Sequence, residues 1–326
     1  MRIAVIGLGF MGSTHLKAIR TIAGAELAAV VSGDPRKRAG DLAGIQGNLG
    51  GPGERMDFSG VAQYATVAEA LADARVEAVD VCLPTDRHEP VAMAALRAGK
   101  HVLVEKPMAL DGAACDRMVA EAEKHGRVLM TAQVLRFFPD YEAAARALPP
   151  LGAVRSALLR RRCAAPAWSQ WLGDASRSGG GVFDLLIHDV DFCLHLFGAP
   201  RAVSAVGYED LARGVDWIEA RLEYADGKAV VITGGWHHPK AYPFSMEFTI
   251  VAEGGTLEYS SLGRPLTLYG ADGAGCAVER EEKDGYAAEI AYFLECASAG
   301  RKPALCPAEE SAAAVKWAVA MVESRR

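Results

Sequence analysis

The amino terminus reads MRIAVIGLGFMG, and its glycine spacing limits the fold more than any other feature of the chain. An apolar run, Ile3 to Ile6, meets Gly7-Leu8-Gly9-Phe10-Met11-Gly12, which has the form GxGxxG, and a helical pattern follows from Met11 to about Ile22. Such a spacing asks for a strand, a tight turn and a helix packed back on the strand. Gly7 makes the bend, Gly9 lets a pyrophosphate approach the backbone, and Gly12 permits close helix–sheet packing. The first N–H groups and the positive dipole end of the helix then favour phosphate. The motif alone is common; set between strand and helix, residues Gly7, Gly9, Phe10, Met11 and Gly12 read as a dinucleotide cradle.

The same texture continues to about residue 131. ELAAVVS (26–32) reads as a second strand, a glycine-rich loop (44–60) interrupts, and VAEALADA (67–74) restores a helix before the strand EAVDVCLP (77–84). EPVAMAALRAG, HVLVEKP, GAACDRMVAEAEKHG and VLMTA then alternate helix, strand, helix, strand. Short apolar runs separated by amphipathic helices imply parallel strands, right-handed crossovers and a sheet covered on both faces. Residues 1–131 are expected to form an α/β Rossmann domain.

The end of the second strand bears on the cofactor. NAD-binding chains usually carry an acidic residue there, on the ribose hydroxyls. This chain has VVSGDPRKR, with Ser32 in that place and Arg36, Lys37 and Arg38 beyond it. A hydroxyl with cations suits the 2′-phosphate of NADP better than the bare ribose of NAD. The reading is NADP or NAD, with NADP favoured; the alternative leaves the cations solvated on the next helix. Asp34 reads as the cap of that helix.

After residue 132 the pattern changes. VRSALLRRRC, AVSAVGYE, DWIEARLEYADGKAVVITGGW, FSMEFTIVAEGGTLEYSS and PLTLYG read as strands, joined by turns such as Asp226-Gly227. An antiparallel sheet with few helices is expected over 132–306, the exceptions being the segment 178–197 and the stretch 284–299. A last helix, about 307–326, is expected to pack back on the first domain. The RRR at 160–162 reads as a solvated strand edge.

Composition narrows the class. The formal charge of −6 gives no electrostatic footprint for nucleic acid. Seven scattered cysteines without a CxxC pair fit a reducing cytoplasm better than a disulfide framework. No apolar run approaches the ~20 residues of a spanning helix, and glycines break the N-terminal run, so it reads as a strand and not a signal peptide. A soluble cytoplasmic protein with a small-molecule substrate is expected, with no nucleic acid or membrane partner.

The stretch SGGGVFDLLIHDVDF (178–192) carries the candidate chemistry. Asp184 and His188 are four apart, on one helix face. A carboxylate near an imidazole orients the ring and stabilises its protonated form, which equips His188 as a general base. A merely solvated polar face fits poorly with Leu185, Leu186, Ile187, Val190 and Phe192 around it, since buried ionisable groups need a partner or a purpose. Asp191 and His195 extend the face, but Asp184 and His195 would be about 16 Å apart, too far to share an ion; no metal site is predicted. His237 and His238 should point apart if they lie on a strand, and they receive no role. Trp168 and Trp171 fit a wall against a sugar ring or the core equally well, and Arg136 and Tyr141 a pocket border or the framework.

GLGFMGSTH, LPTDRHEPVAMAALRAGKHVLVEKPMAL, VLRFFPDY and GGGVFDLLIHDVDF, in this order, resemble the glucose–fructose oxidoreductase / inositol dehydrogenase (Gfo/Idh/MocA) family over essentially the whole chain. The resemblance implies an N-terminal Rossmann domain and a C-terminal α+β domain on a large, open, mostly antiparallel sheet. It implies NAD(P)-dependent hydride exchange with a hydroxyl or carbonyl of a sugar, inositol or related polyol, and homodimers or homotetramers built through the open sheets. Carried over by motif, Lys106 of Glu105-Lys106-Pro107 contacts substrate and cofactor, and Asp184 and His188 are the acid–base pair. Pro84, Thr85 and His88 fall in the segment lining the nicotinamide side, with Glu105 beside Lys106, and Lys37 falls on a phosphate contact. Where many relatives have a histidine in GHVLRF, this chain has Ala132-Gln133, so no role is carried over there. On physical grounds a lysine at a strand's C-terminal end can bind a hydroxyl and stabilise a developing alkoxide. The rivals are a reductase of another carbonyl or imine and a noncatalytic dinucleotide sensor; a sensor has no need of Lys106, Asp184 and His188 together.

Overall fold

The computed structural model describes residues 1–47 and 53–326; part of the glycine-rich loop expected at 44–60 lies outside the described residues. The chain divides into two compact units. One comprises Met1–Val134 with Asp284–Ala312, the other Leu135–Lys283 with Ala313–Arg326.

The first unit opens with β1 (Arg2–Ile6), α1 (Phe10–Ile19), β2 (Glu26–Val31), α2 (Pro35–Arg38), β3 (Ala62–Tyr64) and α3 (Val67–Ala72). It continues with β4 (Ala78–Val81), α4 (His88–Arg97), β5 (His101–Glu105), α5 (Gly112–His125) and β6 (Leu129–Ala132). The strands lie in the order β3-β2-β1-β4-β5-β6, every pair parallel. Residues 3–6 and all of β4, β5 and β6 are buried, the mark of a sheet covered on both faces. Caps set the helix ends: Thr66 and Glu69 form a capping box on α3, and Asp111 accepts the Ala114 N–H at 2.8 Å on α5. The edge strand β3 escapes sequence reading because three residues show no periodicity.

The second unit contains α6 (Pro139–Ala147), β7 (Val154–Cys163), α7 (Ala175–Ser178), α8 (Ile187–Phe197), β8 (Ala202–Asp210) and β9 (Val215–Glu223). β10 (Ala229–Trp236), β11 (Ser245–Ala252), β12 (Gly255–Ser260), β13 (Arg264–Gly270) and β14 (Gly275–Ala277) complete its sheet. The strand order is β14-β13-β12-β11-β7-β10-β9-β8; β7 and β10 run parallel, and the other neighbours are antiparallel. Two helices close the chain, α9 (Gly285–Ala299) and α10 (Ala308–Ser324). α9 packs on α1 within the first unit, whereas most of α10 belongs to the second.

Strand alternation sorts the second sheet into two faces. Leu159, Ile218, Ile232 and Ile250 point inward and are fully buried, as is Phe192 of α8, which meets Tyr141 edge-on at 4.9 Å. The opposite face carries Leu158, Val206 and Tyr208, which are exposed, and Arg160 and Arg162, both bonded to Glu247. The RRR segment is therefore not uniformly a solvated edge. Its middle residue alternates inward, and buried Arg161 donates to Asp189 at 2.8 and 3.1 Å.

Candidate active site

The first turn meets the steric demands of a dinucleotide cradle. Gly7 has φ of +100°, and a Cβ there would stand 2.5 Å from the Cys82 carbonyl oxygen; one on Gly12 would stand 1.9 Å from the Gly7 oxygen. Both must be glycine. A Cβ on Gly9 would meet nothing within 4 Å, so this glycine faces open space beside the start of α1, where no side chain caps the helix. Phe10 and Met11 are part-exposed there. Backbone N–H groups, a helix dipole and open room together fit a pyrophosphate. At the end of β2 the Ser32 hydroxyl accepts the Asp34 N–H at 3.2 Å, and Asp34 caps α2 through the Arg36 N–H at 2.9 Å. Arg38 folds back onto the Ser32 carbonyl, Arg36 is exposed and Lys37 is half-buried.

Beyond β4, Pro84 is half-buried and Thr85 buried, in a short 3₁₀ turn that leads into α4. His88 is buried, its Nε2 2.8 Å from the Leu83 carbonyl oxygen and its Nδ1 2.8 Å from that of Pro107. Burial lowers its pKa and the two carbonyls pull the other way. The ring thus braces the turn after β4 against the turn after β5. In the second turn the Lys106–Pro107 peptide is cis, Lys106 is half-exposed and Glu105 is buried. The Lys106 main-chain N–H donates to Glu105 Oε2 at 3.1 Å. The other oxygen, Oε1, lies 3.0 Å from Nε2 of His15. Sequence reading gave His15 no role, although it stands three residues after the last motif glycine; its carboxylate neighbours are remote in the chain.

In the second unit, Gly179 (φ +75°) and Gly180 (φ +81°) turn the chain beneath β9. A Cβ on Gly180 would come 2.6 Å from Asp216 Oδ2, which accepts the Val182 N–H at 3.2 Å, while Arg325 donates to the other Asp216 oxygen at 2.6 Å. The helix expected from the glycines onward is interrupted: Val182–Leu186 is a π-helical turn, and the regular helix α8 starts at Ile187. Wider turns of this kind recur at functional sites. From Gly180 to Leu194 every residue is buried except Asp184 and His188.

The neighbouring acids have structural work. Asp191 takes a bidentate contact from fully buried Arg136 at 2.8 and 2.7 Å, and Asp189 holds Arg161. Arg136 and Tyr141 are thus framework residues; Tyr141 is buried among Phe192, Phe248 and Tyr259. His195 is half-buried near the end of α8. His237 and His238 follow β10, and their rings meet, Nε2 to Nε2 at 2.9 Å, because the chain has left the strand whose alternation would have parted them.

A glycine-cradled sheet in the 3-2-1-4-5-6 order, carried on one chain with an open eight-stranded unit, defines a dinucleotide-dependent oxidoreductase of the two-unit type. The chain belongs to the GFO/IDH/MocA family. Residues 1–133 match its oxidoreductase model with an NAD-binding Rossmann fold, and residues 150–258 match its C-terminal domain. Inositol 2-dehydrogenase 2 of Saccharopolyspora erythraea is 31% identical over 71% of this chain and 62% of that protein, so the match spans less than two thirds of that relative. Myo-inositol 2-dehydrogenase of Thermotoga maritima is 27% identical over 94% of this chain and 90% of its own length. Among solved structures, GenD2 from gentamicin A biosynthesis, in complex with NAD, has a TM-score of 0.83 at 27% identity, covering 99% of this chain and 93% of that one.

Proposed function

We propose that this NAD(P)-dependent oxidoreductase transfers hydride between a nicotinamide cofactor and a hydroxyl or carbonyl of a sugar, inositol or related polyol. The observation that carries the reading is the isolation of Asp184 and His188 as the part-exposed residues of an otherwise buried segment, in and just after a π turn. Among the buried positions there, the apolar side chains are core, the glycines meet steric limits, and Asp189 and Asp191 are spent on arginines. The inositol dehydrogenases among its relatives support the polyol class.

The residue roles follow from chemistry. The bound cofactor supplies hydride exchange at its nicotinamide. Gly7, Gly9, Phe10, Met11 and Gly12 hold its pyrophosphate with backbone N–H groups. Ser32 and Lys37 favour the 2′-phosphate of NADP over the plain ribose of NAD, and Pro84, Thr85, His88 and Glu105 shape the nicotinamide side. Lys106 binds the reacting oxygen and stabilises negative charge on it. His188 takes the hydroxyl proton during oxidation, and Asp184, one turn earlier, favours the imidazolium that results. The cytoplasm is the proposed compartment, since every cysteine among the described residues is a free thiol; among those residues no helix is long and apolar enough to cross a membrane.

A panel of polyols and sugars assayed at the nicotinamide absorbance with both cofactors should yield a substrate. On that substrate, His188→Ala is expected to cut turnover by about 10²-fold or more with dinucleotide affinity unchanged, and Asp184→Asn to reduce it as well. Near-normal turnover in both variants would make Asp184 and His188 structural and end their acid–base assignment.

A further inference from the structure

Beneath the dinucleotide turn lies a buried charged cluster of which the reaction as proposed uses only Glu105. His15 on α1 has no solvent exposure. Its Nδ1 is 2.8 Å from Asp80 Oδ2 on β4, and its Nε2 is 3.0 Å from Glu105 Oε1 on β5. A neutral imidazole has one N–H and one lone pair, so it satisfies one such oxygen and repels the other. The hydrogen bond is formed at Nδ1, whereas Nε2 meets Glu105 as an ion-pair contact without hydrogen-bond alignment; a carboxylate facing each ring nitrogen favours the doubly protonated, cationic ring. The free oxygen of Glu105 accepts the Lys106 main-chain N–H, which sets up a chain of contacts: Asp80, His15, Glu105, Lys106.

We propose that His15, held as an imidazolium, is a positioning residue that clamps Glu105 against the Lys106 main chain and so fixes the direction in which the Lys106 side chain leaves β5. The inference rests on the reading of Lys106 as the group at the reacting oxygen. Glu105 cannot turn without losing its 3.0 Å ion-pair contact with His15 and the hydrogen bond it accepts from the Lys106 N–H, in a site that water barely reaches.

The surroundings agree. Burial opposes charge on His15, yet the charge of Asp80 and its hydrogen bond hold the pKa well above the ordinary 6.5. Burial likewise works against an ionised Glu105, but the close contact and charge of His15, with Lys106 nearby, keep its pKa below the usual value. The other groups facing His15 are Cys82 at 3.6 Å and Tyr286 of α9, whose ring centre is 6.1 Å away. Burial pushes both up, so both stay neutral. The donor atoms of His15, Asp80 and Cys82 lie within 4.8 Å of one another, as ligands of an ion would. A nitrogen-to-oxygen distance of 2.8 Å is nevertheless that of a hydrogen bond. It is shorter than the ~3.3 Å edge of a tetrahedral zinc site, so the occupant between them is a proton.

The test starts with the wild-type protein as purified. Ring ¹⁵N NMR, assigned by loss of the signals in His15→Asn, should show both His15 nitrogens protonated at about pH 8, well past the ordinary histidine range. A neutral-tautomer pattern, or stoichiometric zinc by elemental analysis, overturns the proposal. On the substrate found by the panel, His15→Asn and Glu105→Gln should each lower kcat by about tenfold, the scale of a slightly misplaced group, with dinucleotide Kd within about twofold in His15→Asn. The double variant should lose no more than either single one, because both break the same clamp. Additive losses, or a kcat near wild type in folded His15→Asn, would refute it even with the polyol reading intact. A panel that yields no sugar or polyol substrate would strike the polyol reading alone, and the NMR pattern would still decide the state of His15.

Discussion

At Lys37 a single side chain separates two cofactors. The Ser32 hydroxyl accepts the Asp34 N–H, which leaves its O–H to donate to a phosphate, and Arg38, half-buried like Lys37, turns back to the Ser32 carbonyl, so the charge at issue is that of Lys37. Only NADP offers a 2′-phosphate, and a hydrogen bond to a charged group is worth about 1.5–3 kcal/mol. Lys37→Ala is therefore expected to weaken NADP binding by about tenfold or more while NAD binding stays within about twofold, read by fluorescence titration with each cofactor. Equal losses, or a wild type that prefers NAD, would reject NADP. His15 gives a second test at this scale. Because its folded pKa is raised, its contribution to stability is complete below the ordinary 6.5 and is lost as pH rises through the folded value. The stability gap between wild type and His15→Asn should accordingly shrink toward alkaline pH in denaturant melts. A gap that stays flat or widens would mean that the ring is neutral in the folded state.

At the scale of elements, α8 is held by charges that never reach water. Arg136 with Asp191 and Arg161 with Asp189 tie the helix to the residues before α6 and to β7, each bidentate and buried. Removing one member strands the other, which costs about 3–5 kcal/mol, whereas replacing both by apolar groups of similar volume is often neutral. Asp191→Asn should thus lower stability by about that amount in denaturant melts, and Arg136→Met with Asp191→Leu should recover most of it. A silent Asp191→Asn would show the pair to be dispensable. The residues that fix this helix were half legible. The run of acids and histidines on one face could be read from spacing, as could the need for glycines ahead of it. Which acids were catalytic candidates and which were anchors could not, since Arg136 and Arg161 are 55 and 28 residues away from their partners.

For the whole molecule, the open face of the eight-stranded sheet is the feature that asks for company. Leu158, Val206 and Tyr208 are 39%, 53% and 52% exposed on that face, among the part-exposed Trp217, Val231 and Thr249. An antiparallel sheet tolerates one wet face when that face is polar; this one mixes large apolar side chains with ion pairs. A homodimer or homotetramer covering it is expected by light scattering at micromolar concentration. Charge placed there, as in Val206→Glu with Tyr208→Glu, should shift the mass toward the monomer. A monomeric wild type would refute the assembly.

Much of this architecture is local and so was written in the chain. The GxGxxG turn follows from glycine spacing, the parallel sheet from apolar runs alternating with amphipathic helices, and β7 to β13 from period-two alternation between turn residues. These signals survive because each depends on neighbours within one or two turns of chain. The partners of buried charges depend instead on which strands become adjacent. His15 meets Asp80 across 65 residues only because β4 lies beside β1 and brings the two together. Glu105 reaches the other side of the ring from β5, the strand next to β4. The inward turn of Arg161, the π turn that presents Asp184 and the two-carbonyl brace around His88 were likewise settled by packing. A charged side chain in a sequence announces that it needs a partner, and only the folded chain says which one comes within 3 Å.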